Sequence, residues 1–190
     1  MQNEKHREMA VAAFARYEGG EFDRLGRVKS IRLSSLKNNE LIEKSRFSRC
    51  IYVLRLSDEA NRLDPSIASI TASSDARQIL YIGGHDSKFG DHSKNRFNVL
   101  LKAIRGAQKF YESNGYAHND KDGKGWGHPI TRMLTTQLLS LGLRIDKHCI
   151  LEIIDGDDDV DELDLIIGYQ ERYHHLPPWN AHRKGSSAFA

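Results

Sequence analysis

The sequence predicts an α+β fold: a small, mostly antiparallel three-stranded sheet flanked by helices, behind an N-terminal helical and basic extension. Three observations carry this. Cys50–Leu56, Ile79–Gly83 and Cys149–Ile154 are short β-branched or apolar runs that read as strands. Four stretches, at 3–17, 96–112, 129–141 and 160–175, read as helices from their apolar spacing and their stop signals. Strands and helices are partly segregated along the chain rather than strictly alternating, which favours α+β over a parallel doubly wound sheet.

Taken in order, Met9, Val11, Ala12, Ala13 and Phe14 form the apolar side of the first helix, which stops at Gly19-Gly20. Residues 21–49 mix basic and apolar side chains without a clear period. They read as an irregular basic arm with a short helix near Asn39 to Lys44. The first strand is followed by a Ser-, Asp- and Ala-rich connection from Ser57 to Gln78 that contains Pro65, then by the second strand. Consecutive strands usually pair, so an antiparallel hairpin is expected. Asn114 to His128 carries Gly115, Gly123, Gly125 and Gly127 and reads as a loop, after which Pro129 suits a first helical turn. The acidic run ahead of the last helix suits that helix's N-terminus, where the dipole favours negative charge. Pro177-Pro178 stops the helix, and 182–190 reads as a tail. The implied division is 1–48 for the helix and arm, 49–181 for the main domain, and the tail.

Composition narrows the function classes. The chain has 190 residues, 39% hydrophobic and 28% charged, which suits one folded core. No run of about 18 apolar residues exists, so no membrane partner is expected. The opening Met1 to Arg7 is polar, and Cys50 and Cys149 are single, so a reducing, cytoplasmic setting is expected. Single cysteines also exclude a disulfide scaffold and a four-thiolate zinc site. The net charge of +2 is unevenly spread: nine of the 26 acidic residues lie between Leu151 and Glu171, where there is no Lys or Arg. The remainder holds 28 basic residues against 17 acidic ones, an excess that attracts polyanions such as nucleic acid.

Two tyrosines stand out by position. Tyr52 lies inside one strand and Tyr81 within the next, so both can project from one sheet face. Arg96 opens the helix after them, and Asn180 closes a Pro177-Pro178-Trp179-Asn180 segment. In these residues the chain resembles the GIY-YIG endonuclease family. Cys50-Ile51-Tyr52 stands for the first half-motif, Tyr81-Ile82-Gly83 for the second, Arg96 for the helix arginine, and Pro177 to Asn180 for the closing element. The resemblance covers roughly residues 49–181, with Cys50 in place of the first glycine.

The resemblance implies DNA phosphodiester hydrolysis with one divalent cation, Mg²⁺ or another such as Mn²⁺. It assigns water activation to Tyr52, positioning of phosphate or water to Tyr81, and charge stabilisation to Arg96. These residue types suit the chemistry. A guanidinium is always charged and grips phosphate oxygens in pairs. A hard cation takes a carboxylate and keeps its waters. The family's glutamate lies on the last helix, and counting back from Asn180 lands near Gly168, which has no side chain to offer. Glu171 is therefore the favoured metal ligand, with Asp164 and Glu162 as alternatives. His85 and Lys88 are auxiliary candidates. Arg27, Lys29, Arg32, Lys94 and Lys124 are the expected DNA contacts. The absence of a separate DNA-binding module favours a compact restriction-type enzyme, and cutting two strands with one site per subunit favours a homodimer or sequential nicking. The alternative is a non-catalytic nucleic-acid-binding module with a degenerate site.

Overall fold

The computed structural model of the chain describes residues 2–33, 49–63, 75–86, 104–114, 137–155, 160–178 and 180. In chain order they form helix α1 (Gln2–Glu18), the short helix α2 (Glu21–Arg24), strand β1 (Val28–Arg32), strand β2 (Arg49–Leu56), helix α3 (Asp58–Leu63) and strand β3 (Ile79–Asp86). Residues 104–114 and 137–140 are helical. Helix α4 (Ile145–His148), strand β4 (Cys149–Asp155) and helix α5 (Glu162–Tyr173) complete the fold.

The class is α+β, as expected, but the sheet has four strands, in the order β1-β4-β2-β3, with every neighbouring pair antiparallel. The expected count of three is corrected by β1, which lies in the stretch expected to be an irregular arm. Val28-Lys-Ser-Ile-Arg holds only two apolar residues, three apart, so it carries no period-2 signal. Its strand state comes from pairing with β4, Val28 opposite Ile154 and Arg32 opposite Ile150. The connection after β2 opens with α3, and β3 runs three residues past Gly83.

Two apolar layers cover the sheet. Tyr52, Leu54 and Leu56 of β2 pack with Leu151 and Cys149 of β4, Tyr81 of β3, and Leu33, Ile104, Leu138 and Ile145. Ile51 and Val53, the alternate residues of the same strand, pack on the other face with Ile154, Ile82 and the helices α1 and α5. A register shift at Leu54/Arg55 lets Leu80 and Tyr81 join the same layer despite being consecutive.

Helix α5 begins where the acidic run ends. Asp161 is the N-cap: its carboxylate accepts the Asp164 N–H (2.9 Å), and Asp164 accepts the Asp161 N–H (3.0 Å), a reciprocal capping box. Helices α1 and α5 cross closely because Gly168 has no side chain: a β-carbon there would collide with Phe14 Cβ and the Ala10 carbonyl. Phe14 meets Tyr169 and Tyr173 edge-on, with ring centroids 5.6 and 6.1 Å apart. Such pairs are worth about 0.5–1.5 kcal/mol each beyond their buried area.

Candidate active site

The β2–β3 ladder places the two half-motifs together. Tyr52 pairs across the strands with Gly83, and Leu54 with Tyr81, so the tyrosines sit diagonally on one face. Their ring centroids are 6.0 Å apart at 36°, and both side chains belong to the same buried layer. Gly83 explains the approach: a β-carbon at this position would run into the Tyr52 ring and lie 2.6 Å from its hydroxyl. The glycine of Tyr81-Ile82-Gly83 thus makes room for the tyrosine of Cys50-Ile51-Tyr52.

The closing segment reaches the same strand. A turn in which the Asn180 N–H donates to the Pro177 carbonyl (2.8 Å) presents the Asn180 side chain to β3. Its Oδ1 accepts the Ile82 N–H at 2.9 Å, and its Nδ2 donates to the Ile82 carbonyl at 2.7 Å. β3 stands at the end of the strand order, so the amide completes the backbone bonding that a further strand would otherwise supply. Asn180 is buried, with 2% of its surface exposed. The structure makes it a clasp that holds the strand bearing Tyr81 and Gly83.

The three candidate carboxylates separate. Glu171 accepts a hydrogen bond from Arg7 of α1, and the pair is partly exposed. Asp164 is spent on the capping box and lies 3.8 Å from His6 of α1. Burial pushes its carboxyl above the ordinary range, against the capping bond that lowers it. Glu162, in the first turn of α5, lies directly over Gly84, the residue that follows Tyr81-Ile82-Gly83. Glu171 and Asp164 therefore face α1, whereas Glu162 meets β3 at Gly84 on the Ile51 and Val53 face, opposite the two tyrosines. Among the described residues no group of three or more His, Cys, Asp or Glu gathers as a ready metal cage.

Arg96, Lys88, Lys94 and Lys124 lie outside the described residues, as does the His85 side chain, although its backbone pairs with Cys50 in the ladder. The basic candidates of the N-terminal segment take different places. Arg27 donates from Nη2 to the Asp155 carbonyl at 2.8 Å and stacks over Phe22, tying β1 to the end of β4. Lys29 and Arg32 are exposed on β1, and Arg32 lies 3.4 Å from Glu59.

Sequence reasoning misses the buried charge of the sheet. Glu152 of β4 is 1% exposed; it accepts from the Tyr17 hydroxyl (2.6 Å), Arg55 Nε (2.5 Å) and Arg77 Nη1 (3.3 Å). Arg77 also lies over the Tyr17 ring and pairs with Asp23. Burial, followed by the Glu152 charge, raises the Tyr17 hydroxyl well above its usual range. A glutamate inside the apolar run Cys-Ile-Leu-Glu-Ile-Ile is the signal that could have found it, because a buried carboxylate demands partners.

Against known proteins, the chain matches no family model, no curated protein and no solved structure.

Proposed function

We propose that the chain is a metal-dependent DNA endonuclease of GIY-YIG type, hydrolysing phosphodiester bonds as a compact restriction-type enzyme of the cytoplasm. The observation that carries this reading is convergence. Tyr52, Tyr81-Ile82-Gly83 and Asn180 come from three distant parts of the chain, yet they make direct contacts around one strand.

A hydrated hard cation needs at least one carboxylate with its retained waters, and among the described residues the candidate carboxylates do not fit one held beside the tyrosines. All three candidates lie on α5, which packs on the Ile51 and Val53 face of the sheet, and Glu162 meets Gly84 on that face, opposite the two tyrosines. When bound, such an ion would supply charge stabilisation at the phosphodiester. Tyr52, held by the ladder, activates the attacking water by taking up its proton at the phenol oxygen when that oxygen is deprotonated, and Tyr81 positions the phosphate or the water. Arg96 would balance charge developing on the phosphoryl oxygens. With one such site per subunit, cutting both strands proceeds through a homodimer or by successive nicks.

The test is plasmid cleavage with Mg²⁺ or Mn²⁺. The wild-type protein should cut and lose activity in chelator, and Tyr52→Phe should fall by at least about 100-fold, the scale of a lost general acid–base group. Cleavage by Glu162→Gln, Asp164→Asn and Glu171→Gln identifies the carboxylate that cutting requires, and full activity in all three overturns a metal ligand on α5. Plasmid left intact over a wide range of protein concentrations overturns the reading. A second reading, a nucleic-acid-binding module that does not cut, is favoured by one observation. At Gly168, where the resemblance puts the carboxylate, α1 fills the space instead.

A further inference from the structure

Beside helical residues 104–114 lies an open cleft of about 200 Å³. Its apolar floor is Leu33 and Ile104, which belong to the same layer as Tyr52 and Tyr81. Arg105 and Lys109 line it four residues apart, which places both on one side of the helix, and both are exposed. The acidic members of the lining are turned to a common partner. Arg144 reaches Glu112 with Nη1 (3.1 Å) and Asp146 with Nη2 (3.1 Å) and Nε (3.2 Å). With Arg144 counted, three cations stand against the two carboxylates at the cleft, an excess of positive charge.

We infer that this cleft seats a backbone phosphate of duplex DNA away from the bond that is cut. This rests on the nucleic-acid reading above and extends it to a named surface. Two features favour a polymer lying across the cleft over a small molecule enclosed in it. The volume is below the roughly 300–1,000 Å³ of pockets that enclose small ligands. The cations stand on the outer face of a helix, where a phosphate chain passing over the layer of the two tyrosines would meet them. Phosphate anchoring of this kind positions a duplex without reading its sequence.

The experiment is fluorescence anisotropy of a labelled duplex of about 20 base pairs against the full chain in chelator, over a series of salt concentrations. The double variant Arg105→Gln/Lys109→Gln should lower the slope of log affinity against log salt by about 0.9 for each phosphate that is no longer neutralised. At about 0.1 M salt that is about eightfold weaker binding per phosphate. Lys5→Gln, on an exposed position of α1, should leave the slope unchanged. Both changes fall on exposed side chains, and far-ultraviolet circular dichroism checks that the fold is retained. Unchanged slope in the double variant overturns the inference even if the wild-type protein cuts plasmid. A reduced slope in a protein that never cuts supports the inference while removing the nuclease. Wild-type protein that does not bind the duplex overturns it outright.

Discussion

Replacing Asn180 by alanine removes both hydrogen bonds that the side chain makes with Ile82, at 2.9 and 2.7 Å, in a site that is 2% exposed. One backbone donor and one acceptor on the end strand are then left in a buried position. Leaving such a group unsatisfied costs about 1–3 kcal/mol. The two are neighbours on one residue and share any relief from entering water, so a combined cost of about 2–4 kcal/mol is expected. With a urea m-value of about 2 kcal/mol/M, the unfolding midpoint should fall by about 1–2 M. Asn180→Asp separates the two bonds. It keeps an acceptor for the Ile82 N–H but sets a carboxylate oxygen against the Ile82 carbonyl. The native state therefore favours the protonated acid, and its pKa rises above the unfolded value of about 3.9. For a group raised in the folded state, the variant's stability falls as pH climbs through that window and recovers as pH drops below it. Urea titrations at about pH 4 and about pH 7 read both effects. A midpoint change under about 0.3 M for the alanine variant, or identical behaviour of the two variants at both pH values, would refute the clasp.

Glu152→Gln leaves the half-buried Arg55 and Arg77 without the buried carboxylate they share. Breaking such a pair costs about 3–5 kcal/mol, so calorimetry should show a melting temperature lower by about 6–20 °C; an unchanged transition would mean that the network contributes nothing. Gly83→Ala forces the Tyr52 ring to move, and overpacking of this kind costs about 1–3 kcal/mol. The near-ultraviolet tyrosine signal should change along with stability. Gly168→Ala should destabilise despite the gain of about 1 kcal/mol in helix propensity, because α1 must shift away; a more stable variant in denaturant titration contradicts the close crossing. At Asp146, burial pushes the carboxyl up, but the hydrogen bonds and charge of Arg144 outweigh it and hold it below its ordinary value. The contribution of that pair is present above the ordinary carboxyl range and fades as pH falls through the folded value. Carbon-detected NMR should find Asp146 titrating at higher pH in Arg144→Gln, and an unmoved titration would show that Arg144 is not the cause.

What could be read from the chain alone is whatever has a local cause. The apolar runs of β2, β3 and β4 declare strands because both faces of the sheet they form are covered. The capped, acidic start of α5 declares a helix because Asp161 and Asp164 satisfy amides of its first turn by themselves. The two tyrosines could be placed on one face because adjacent strands with a period of two permit it. Tertiary contacts decided the rest. β1 is a strand only because β4 offers it a partner, and its own two apolar residues say little. That α5 covers the face opposite the two tyrosines, with Glu162 over Gly84, depends on how the helix packs, and Gly168 seats α1 against it. Spacing along a helix can name the residues that share a side, but only the neighbour that packs there determines which side points at the strand.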